Sequence, residues 1–131
     1  MSDIPPETTA LGDARLIPLG DVGGMTLFDR AGAKLGVLKE AYVDKITGRI
    51  EFVIGATGGF LGVGDKFHPI PWTALTYNHA PEGYLGAFTK KDLADAPAYD
   101  RDQLSGKHYG WSDQVRRYFA NLTHPANVPP R

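Results

Sequence analysis

The sequence predicts a mainly β protein, a small closed or nearly closed β-barrel of five to six short strands with one or two short C-terminal helices. The 131 residues include 16 glycines and 10 prolines, which indicates many turns and favours short strands over long helices. Short apolar segments recur between these turn residues along most of the chain. Short strands bury little surface in an open sheet, and closing the sheet also removes exposed strand edges.

The first part of the barrel is predicted to contain two strands joined by a tight turn. Residues 25–28 form the first strand, and the turn at residues 29–32 ends in Gly32. The second strand covers residues 35–44. Its apolar pattern slips by one position between Leu35 and Leu38, so we expect a β-bulge or bend there.

A second hairpin follows and contains the clearest period of two in the chain. Residues 45–48 form its loop, with Gly48 at the end. Ile50, Phe52 and Ile54 then alternate with Glu51 and Val53 along the next strand.

The stretch from residue 58 to residue 72, GGFLGVGDKFHPIPW, organises the centre of the chain. Its glycines fit neither a phosphate-binding loop nor a dinucleotide-binding loop, because a strand at residues 67–70 follows where a helix is required. We therefore assign a structural turn role to Gly58, Gly59, Gly62 and Gly64.

Two large apolar residues, Phe60 and Leu61, lie between these glycines, where a loop is normally polar. They either fill the barrel or form an exposed tip that docks on a partner or on a second copy. Pro71 is predicted to start a helical turn, with Trp72 next to it.

The last strands and the helices complete the predicted order. Strands are expected at residues 75–77 and 84–88, and Thr89 with Asp92 resembles a capping box that starts a helix ended by Pro97. Residues 99–110 are expected to be irregular. A second helix, at about residues 112–122, has Ser112 as its expected cap.

This order divides the chain into three parts. Residues 1–15 are expected to form a flexible N-terminal arm, residues 16–97 the barrel, and residues 98–131 a C-terminal extension. The extension carries three further residues of the candidate interaction surface, Trp111, Tyr118 and Phe119. The helix that bears them is expected to pack on the barrel or to reach across to a second subunit.

Charge and composition point away from several classes of protein. The formal net charge of −1 gives no overall attraction to nucleic acid or to an anionic membrane. The chain has no cysteine, which excludes disulfides and thiolate metal sites. No apolar run approaches the ~18 residues that span a bilayer, and the N-terminus has no secretory pattern. We expect a cytoplasmic protein without direct membrane insertion.

Catalytic, metal and cofactor sites are not predicted. The four histidines, His68, His79, His108 and His124, have no zinc-site spacing, and no serine nucleophile motif is present. The sequence therefore predicts a protein that is not an enzyme and that has no metal or cofactor.

The C-terminal part is locally basic, and this leaves a nucleic-acid hypothesis open. Its basic residues are Arg101, Lys107, His108, Arg116 and Arg117, and they alternate with aromatic residues. Aspartates at positions 100, 102 and 113 dilute that charge, so a nucleic-acid surface is not favoured.

Taken together, three motifs resemble the PRC-barrel domain family. Residues 28–37 resemble its "D-x-x-G-x-x-x-G" hairpin, which includes Gly32 and Gly36. Residues 44–50 are similar to its "D-x-x-T/S-G-R-V" hairpin, and residues 58–72 to its "G-G-F-L-G-I-G … P-W" segment. The match is close over residues 24–97 and looser in the tail, where the chain resembles stand-alone bacterial members.

The resemblance implies a function in assembly. The family is named for the cytoplasmic part of the photosynthetic reaction centre H subunit and for ribosome maturation factor M, so it implies a non-catalytic module that docks on larger assemblies. It also implies a homodimer with an unidentified protein partner. Two alternatives remain open, an RNA- or ribosome-associated assembly factor and a small-ligand-binding barrel.

Overall fold

The computed structural model describes residues 15–57, 66–106 and 109–122. Six strands form a single sheet within these ranges. They are β1 (Thr26–Phe28), β2 (Lys34–Val43), β3 (Ile50–Thr57), β4 (Lys66–Pro71), β5 (Leu75–Asn78) and β6 (Gly83–Gly86).

The strands run in the order β4-β3-β2-β1-β6-β5. Neighbouring strands are antiparallel except β1 and β6, which pair in parallel. The first of the six strands along the chain thus pairs with the last. The sheet curls into a half-barrel and carries a few short helices, which confirms the mainly β fold class.

Local turn chemistry explains the two antiparallel hairpins at the start of the sheet. Gly32 and Gly48 have φ angles of 93° and 81°, a region that glycine enters without a steric penalty. An aspartate begins each turn. The Asp29 carboxylate accepts backbone hydrogen bonds from Ala31 and Ala33 at 2.8 and 2.9 Å, which fixes the direction of the returning strand.

β2 contains the bulge that its apolar pattern predicts. Leu27 lies opposite Gly36 and Phe28 opposite Lys34, which leaves Leu35 as the extra residue facing β1. A second register shift, between Leu38 and Ala41, faces β3. Bulges increase local twist, and this long strand therefore bends enough to curl the sheet.

The structure gives Gly36 a role different from that of a turn glycine. It lies inside β2, where a Cβ atom would collide with the carbonyl oxygen of Ala56 on β3. Glycine is needed here because two backbones approach each other closely.

In the described residues after the sheet there are three short α-helices, α1 (Lys90–Asp95), α2 (Arg101–Leu104) and α3 (Ser112–Ala120). α1 begins with the predicted capping box: Thr89 Oγ1 accepts from the Asp92 amide at 3.0 Å, and Asp92 accepts from the Thr89 amide at 2.8 Å. None of the helices in the described ranges combines the length and the hydropathy of a membrane-spanning segment.

The prediction was wrong on two details of the C-terminal part. Residues 99–110 were expected to be irregular but contain α2, which begins with a capping box between Asp100 and Gln103. Ser112 is the first helical residue of α3 and not its cap, since Trp111 occupies the N-cap position.

β3 is buried on both faces, and it therefore separates two apolar clusters. Val53 faces the barrel interior, where it packs with Leu27, Leu38 and Ile70. Phe52 and Ile54 face the other way. The outer cluster that they join also contains Leu104, Trp111 and Val115.

Ile50 departs from the predicted alternation with Phe52 and Ile54, because it packs against the interior cluster. A register shift explains this. Tyr42 lies opposite Phe52 and Val43 opposite Ile50, so Glu51 is an extra residue that reverses the phase of the strand.

Candidate interaction surfaces

The predicted tip of the central loop lies outside the described residues. This holds for Phe60 and Leu61 and for the turn glycines Gly58, Gly59, Gly62 and Gly64. The end of the motif is described: Pro71 precedes a 3-10 turn at Trp72–Ala74, and the Trp72 ring packs 5.2 Å from the Tyr84 ring between centroids.

Trp111 lies in the interior of the outer cluster, with an exposed fraction of 7%. Its ring meets Phe52 edge to face at 5.0 Å, and its indole N–H donates to the Leu104 carbonyl at 3.0 Å. The buried indole therefore has both its apolar face and its polar atom satisfied within the chain. It joins α2 and the start of α3 to β3, and it contributes packing and no exposed docking area.

Tyr118 and Phe119 are half-buried, and both contact the chain's own barrel domain. The Tyr118 hydroxyl donates to the Asp92 carbonyl at 2.6 Å, and the Phe119 ring packs 5.6 Å from Phe88. Burial, with Asp92 and Asp95 nearby, raises the pKa of Tyr118. α3 thus packs on the barrel of the same chain, as one of the two sequence hypotheses predicted.

An aromatic surface remains around Trp111, and we call Tyr42, Tyr99 and Tyr109 the tyrosine rim. Tyr42 lies 5.5 Å from Tyr109 and 5.8 Å from Trp111 between ring centroids, while Tyr99 lies 6.3 Å from Trp111. Residues from β2, from the segment before α2 and from the segment before α3 therefore meet on one face. Tyrosine is suited to such a surface because it combines a rigid apolar ring with a polar tip.

Tyr109 is the most exposed member of the rim and has an unusual backbone. It has a φ of 55°, the only non-glycine residue of the described ranges with a positive φ, and 48% of it is exposed. The left-handed region costs roughly 1–2 kcal/mol for a residue with a Cβ. Backbone strain that holds a large exposed ring in place is a feature that motivates a functional hypothesis.

The other two tyrosines of the rim are more firmly held. Burial raises the pKa of Tyr42, and the negative charge of Glu40 adds to the effect. Burial alone raises the pKa of Tyr99, whose hydroxyl donates to Gln114 at 3.1 Å. Both phenols therefore stay protonated at neutral pH and present hydroxyl donors and acceptors.

The arginines beside the rim lie over aromatic rings. Arg101 stands 5.1 Å from the centre of the Phe67 ring, and Arg116 stands 4.5 Å from that of Phe52. Arg116 also forms an ion pair with Glu51 at 3.2 Å. These guanidinium groups are engaged within the chain, which disfavours the use of this face as a phosphate-binding surface.

A second exposed apolar feature is the tip of the β2–β3 hairpin. Ile46 is 85% exposed, and Val43 is exposed at the end of β2. The Asp44 carboxylate accepts hydrogen bonds from the Ile46 and Thr47 amides at 2.8 and 3.1 Å. The Thr47 and Ile46 amides lower the pKa of Asp44, and the turn holds Ile46 in its outward position.

The histidines of the described ranges do not gather into a site. His68 is buried in β4, with Nδ1 3.2 Å from the Pro97 carbonyl, while His79 lies exposed in the β5–β6 turn. His108 and His124 fall outside the described residues. Within those residues no group of three or more histidines, aspartates or glutamates could hold a metal ion.

Sequence reasoning did not single out Tyr42, Ile46 or Tyr77, each of which is at least partly exposed. The exposure of Ile46 could have been predicted from the sequence, since a large apolar residue between Asp44 and Gly48 in a tight turn has no room to turn inward. The position of Tyr42 could not have been predicted in this way, because only the fold brings β2 beside the C-terminal extension.

Comparison with known proteins identifies one family. The family model for the PRC-barrel domain matches residues 15–102. This region contains all six strands, α1 and the first half of α2, while residues 1–14 and the C-terminal part with α3 lie outside it. A search of curated proteins found no match.

Proposed function

Because this chain belongs to the PRC-barrel domain family, a family of interaction and assembly modules, we propose that it is a non-catalytic docking module that binds a protein partner. The observation that carries the proposal is the tyrosine rim, with its strained and exposed Tyr109. Tyrosine, tryptophan and arginine are the residues that dominate binding energy at protein interfaces. The rim presents tyrosine rings that pack on Trp111, and Trp111 in turn packs against side chains of β3 and α3.

The interior of the barrel supports a docking module over a small-ligand-binding barrel. Leu27, Leu38, Val53 and Ile70 are fully buried, and they fill the space between the strands with apolar side chains. A ligand pocket normally combines open volume with several convergent polar groups. Interaction through the outer surface is the function that this arrangement favours.

The charges around the rim support a protein partner over RNA. Arg101 and Arg116 lie on aromatic rings, and Glu51 neutralises Arg116. An RNA-binding face needs cations that are free to pair with phosphate, and its affinity falls steeply with added salt. The proposal includes a homodimer that acts in the cytoplasm and binds a protein of another sequence.

Affinity capture from a lysate of the source cells tests the proposal. The full chain is compared with a Tyr109→Asp variant and with a Phe60→Asp, Leu61→Asp double variant, and the bound proteins are quantified by mass spectrometry. We expect a protein that binds the wild type and is reduced about tenfold or more by Tyr109→Asp, because a charge replaces a hot-spot ring.

Ile46→Asp is the matched control, since it makes the same change of polarity at an exposed apolar residue that is not a member of the rim. If the captured protein is lost only with the double variant, the docking surface is on the central loop and not on the rim. Equal capture by wild type and all variants would refute both surfaces. A second capture with added RNase checks that RNA does not bridge the partner.

A further inference from the structure

The two edge strands of the sheet, β4 and β5, differ in how well they are protected from pairing with another chain. The outer edge of β4 is guarded, because Pro69 and Pro71 have no backbone donor and because Tyr99 forms a bridge to Phe67. The Tyr99 amide donates to the Phe67 carbonyl at 2.9 Å. Prolines and a covering segment are the usual means by which an edge strand is kept from pairing with other chains.

Within the part of the chain that the structure describes, the outer edge of β5 has none of these protections. Its sequence, Leu-Thr-Tyr-Asn, contains no charged residue and no proline, and its pairing with β6 continues over four residues without a bulge. No strand of the described ranges pairs with its other side. Tyr77 lies in the middle of the strand and is 47% exposed.

The hydrogen-bond pattern shows which backbone groups face this open edge. Ala74 and Ala87 lie in register with the β5–β6 pairs, and the Ala87 amide donates to the Ala74 carbonyl at 2.9 Å. Hydrogen-bonded pairs alternate along an antiparallel ladder, so Thr76 and Asn78 bond to β6. The N–H and C=O groups of Tyr77 therefore point away from β6.

One further residue of β5 limits the register of any added strand. The Leu75 amide is occupied, because it donates to the Trp72 carbonyl in the 3-10 turn. Tyr77 is thus the one residue of β5 that offers both a donor and an acceptor at the edge. An added strand therefore forms the most backbone hydrogen bonds when the residue directly opposite Tyr77 also offers both its N–H and its C=O group.

We propose that the β5 edge is a self-association surface, on which β5 of a second copy pairs antiparallel about a two-fold axis between the two Tyr77 residues. Each Tyr77 amide then donates to the Tyr77 carbonyl of the other copy, and Thr76 faces Asn78 of that copy. Two six-stranded sheets become one continuous sheet.

Three observations favour a second copy as the occupant. The two-fold arrangement places the free donor and acceptor of Tyr77 against an identical pair, as an isologous interface requires. Residues 75–78 are uncharged, so self-pairing brings no like charges together within the strand pair. Because the β4 edge is blocked, the association stops at two copies and does not continue into a filament.

This inference rests on the homodimer that the proposed function includes, and it adds the surface and the register. Light scattering on the full chain over a range of concentrations measures the dissociation constant of the dimer. Tyr77→Glu places two carboxylates directly opposite each other, beside the Glu82 carboxylate that the Tyr77 hydroxyl contacts at 2.8 Å, and we expect the dissociation constant to rise about tenfold or more. Tyr77→Phe keeps the ring and the backbone, so it should dimerise like the wild type.

Thiol cross-linking tests the register. Only the introduced thiols can react, because the chain has no cysteine of its own. Thr76→Cys faces position 78 of the other copy and not position 76. We expect a mixture of Thr76→Cys and Asn78→Cys chains to form a disulfide readily under mild oxidation, and each variant alone to do so poorly. Ile46→Cys controls for random collision, since it lies on a hairpin remote from β5 in the sheet order.

The outcomes separate this inference from the proposed function. A dimer that Tyr77→Glu does not weaken, and that forms no mixed disulfide, overturns the β5 surface and leaves the homodimer in place. A wild type that stays monomeric at all concentrations overturns the inference and the homodimer, while partner capture still tests the docking function. A monomer whose Tyr77 amide resists hydrogen exchange would show that another segment of the same chain covers the edge, which also overturns the inference.

Discussion

At the scale of single residues, Tyr109 is the strained residue on which the proposed docking function depends. Its φ of 55° is unfavourable for every residue except glycine and, to a lesser degree, asparagine and aspartate. We expect Tyr109→Gly to be more stable than Tyr109→Ala by about 1 kcal/mol, since both remove the ring but only alanine keeps a Cβ in the left-handed region. Urea unfolding of the two variants measures this difference.

Equal stability of the glycine and alanine variants would contradict the strained backbone. Capture of the partner should fail with both variants, because both lack the ring. The two measurements together separate the cost of the strain from the function of the side chain.

Gly36 is a second residue whose role is visible only in the fold. A Cβ at this position would collide with the Ala56 carbonyl of the adjacent strand, so we expect Gly36→Ala to lower the free energy of unfolding by about 1–3 kcal/mol. Gly20→Ala is the matched control, since nothing lies within 4 Å of a Cβ there. Chemical denaturation would contradict the close approach if both variants unfolded at the same denaturant concentration.

The tyrosines predict how stability depends on alkaline pH. Burial raises the pKa of Tyr42, Tyr84, Tyr99 and Tyr118 in the folded chain above the ordinary value of about 10. Above that value the unfolded chain loses these protons before the folded chain does. The stabilisation is therefore complete below about pH 10 and is lost as the pH rises through the folded pKa values.

Thermal unfolding followed between neutral pH and pH values above 10 measures this loss, and tyrosinate absorbance reports the titration itself. We expect the midpoint to fall as tyrosinate forms, and Tyr99→Phe to reduce the fall. An unchanged midpoint across the titration would contradict the buried, protonated phenols.

At the scale of elements, Trp111 couples the C-terminal extension to the barrel. It packs on Phe52 of β3 and donates to Leu104 at the end of α2. We expect Trp111→Ala to lower the free energy of unfolding by about 3–5 kcal/mol through the cavity that it leaves. Ile46→Ala, on an exposed turn, should change it by less than about 0.5 kcal/mol. Similar losses for both variants would contradict the buried role of Trp111.

The elements that could be predicted from the sequence are those coded by nearby residues. The slip between Leu35 and Leu38 predicted a bulge in β2, and Thr89 with Asp92 predicted the start of α1. Turns, caps and strand periodicity act over a few residues, and a single sequence contains them in full.

Features formed by distant parts of the chain could not be predicted in the same way. The parallel pairing of β1 with β6 and the close approach at Gly36 depend on how strands meet in the folded sheet. The tyrosine rim likewise needs Tyr42 and Tyr109 to come together from distant positions. The short helix α2 is a different case, because its Asp100–Gln103 capping box was present in the sequence and was missed.

At the scale of the whole molecule, the interior and the surface have separate tasks. The interior cluster around Leu27 and Val53 holds the sheet together, and the outer cluster around Trp111 fixes the extension on its outer face. In the proposed function, interaction is then left to two exposed features, the tyrosine rim and the β5 edge. This division of tasks is what we expect of a docking module in the PRC-barrel domain family.

Site-specific photo-cross-linking in the source cells tests the docking claim most directly. A photoreactive phenylalanine analogue replaces Tyr109 in the full chain, and a second chain carries it at Ile46 as the control. We predict a cross-link from position 109 to a protein of another sequence, which mass spectrometry identifies and which is absent or much weaker from position 46. Cross-linking from position 109 only to RNA, or to nothing above the level of the control, would contradict a protein-docking function for this face.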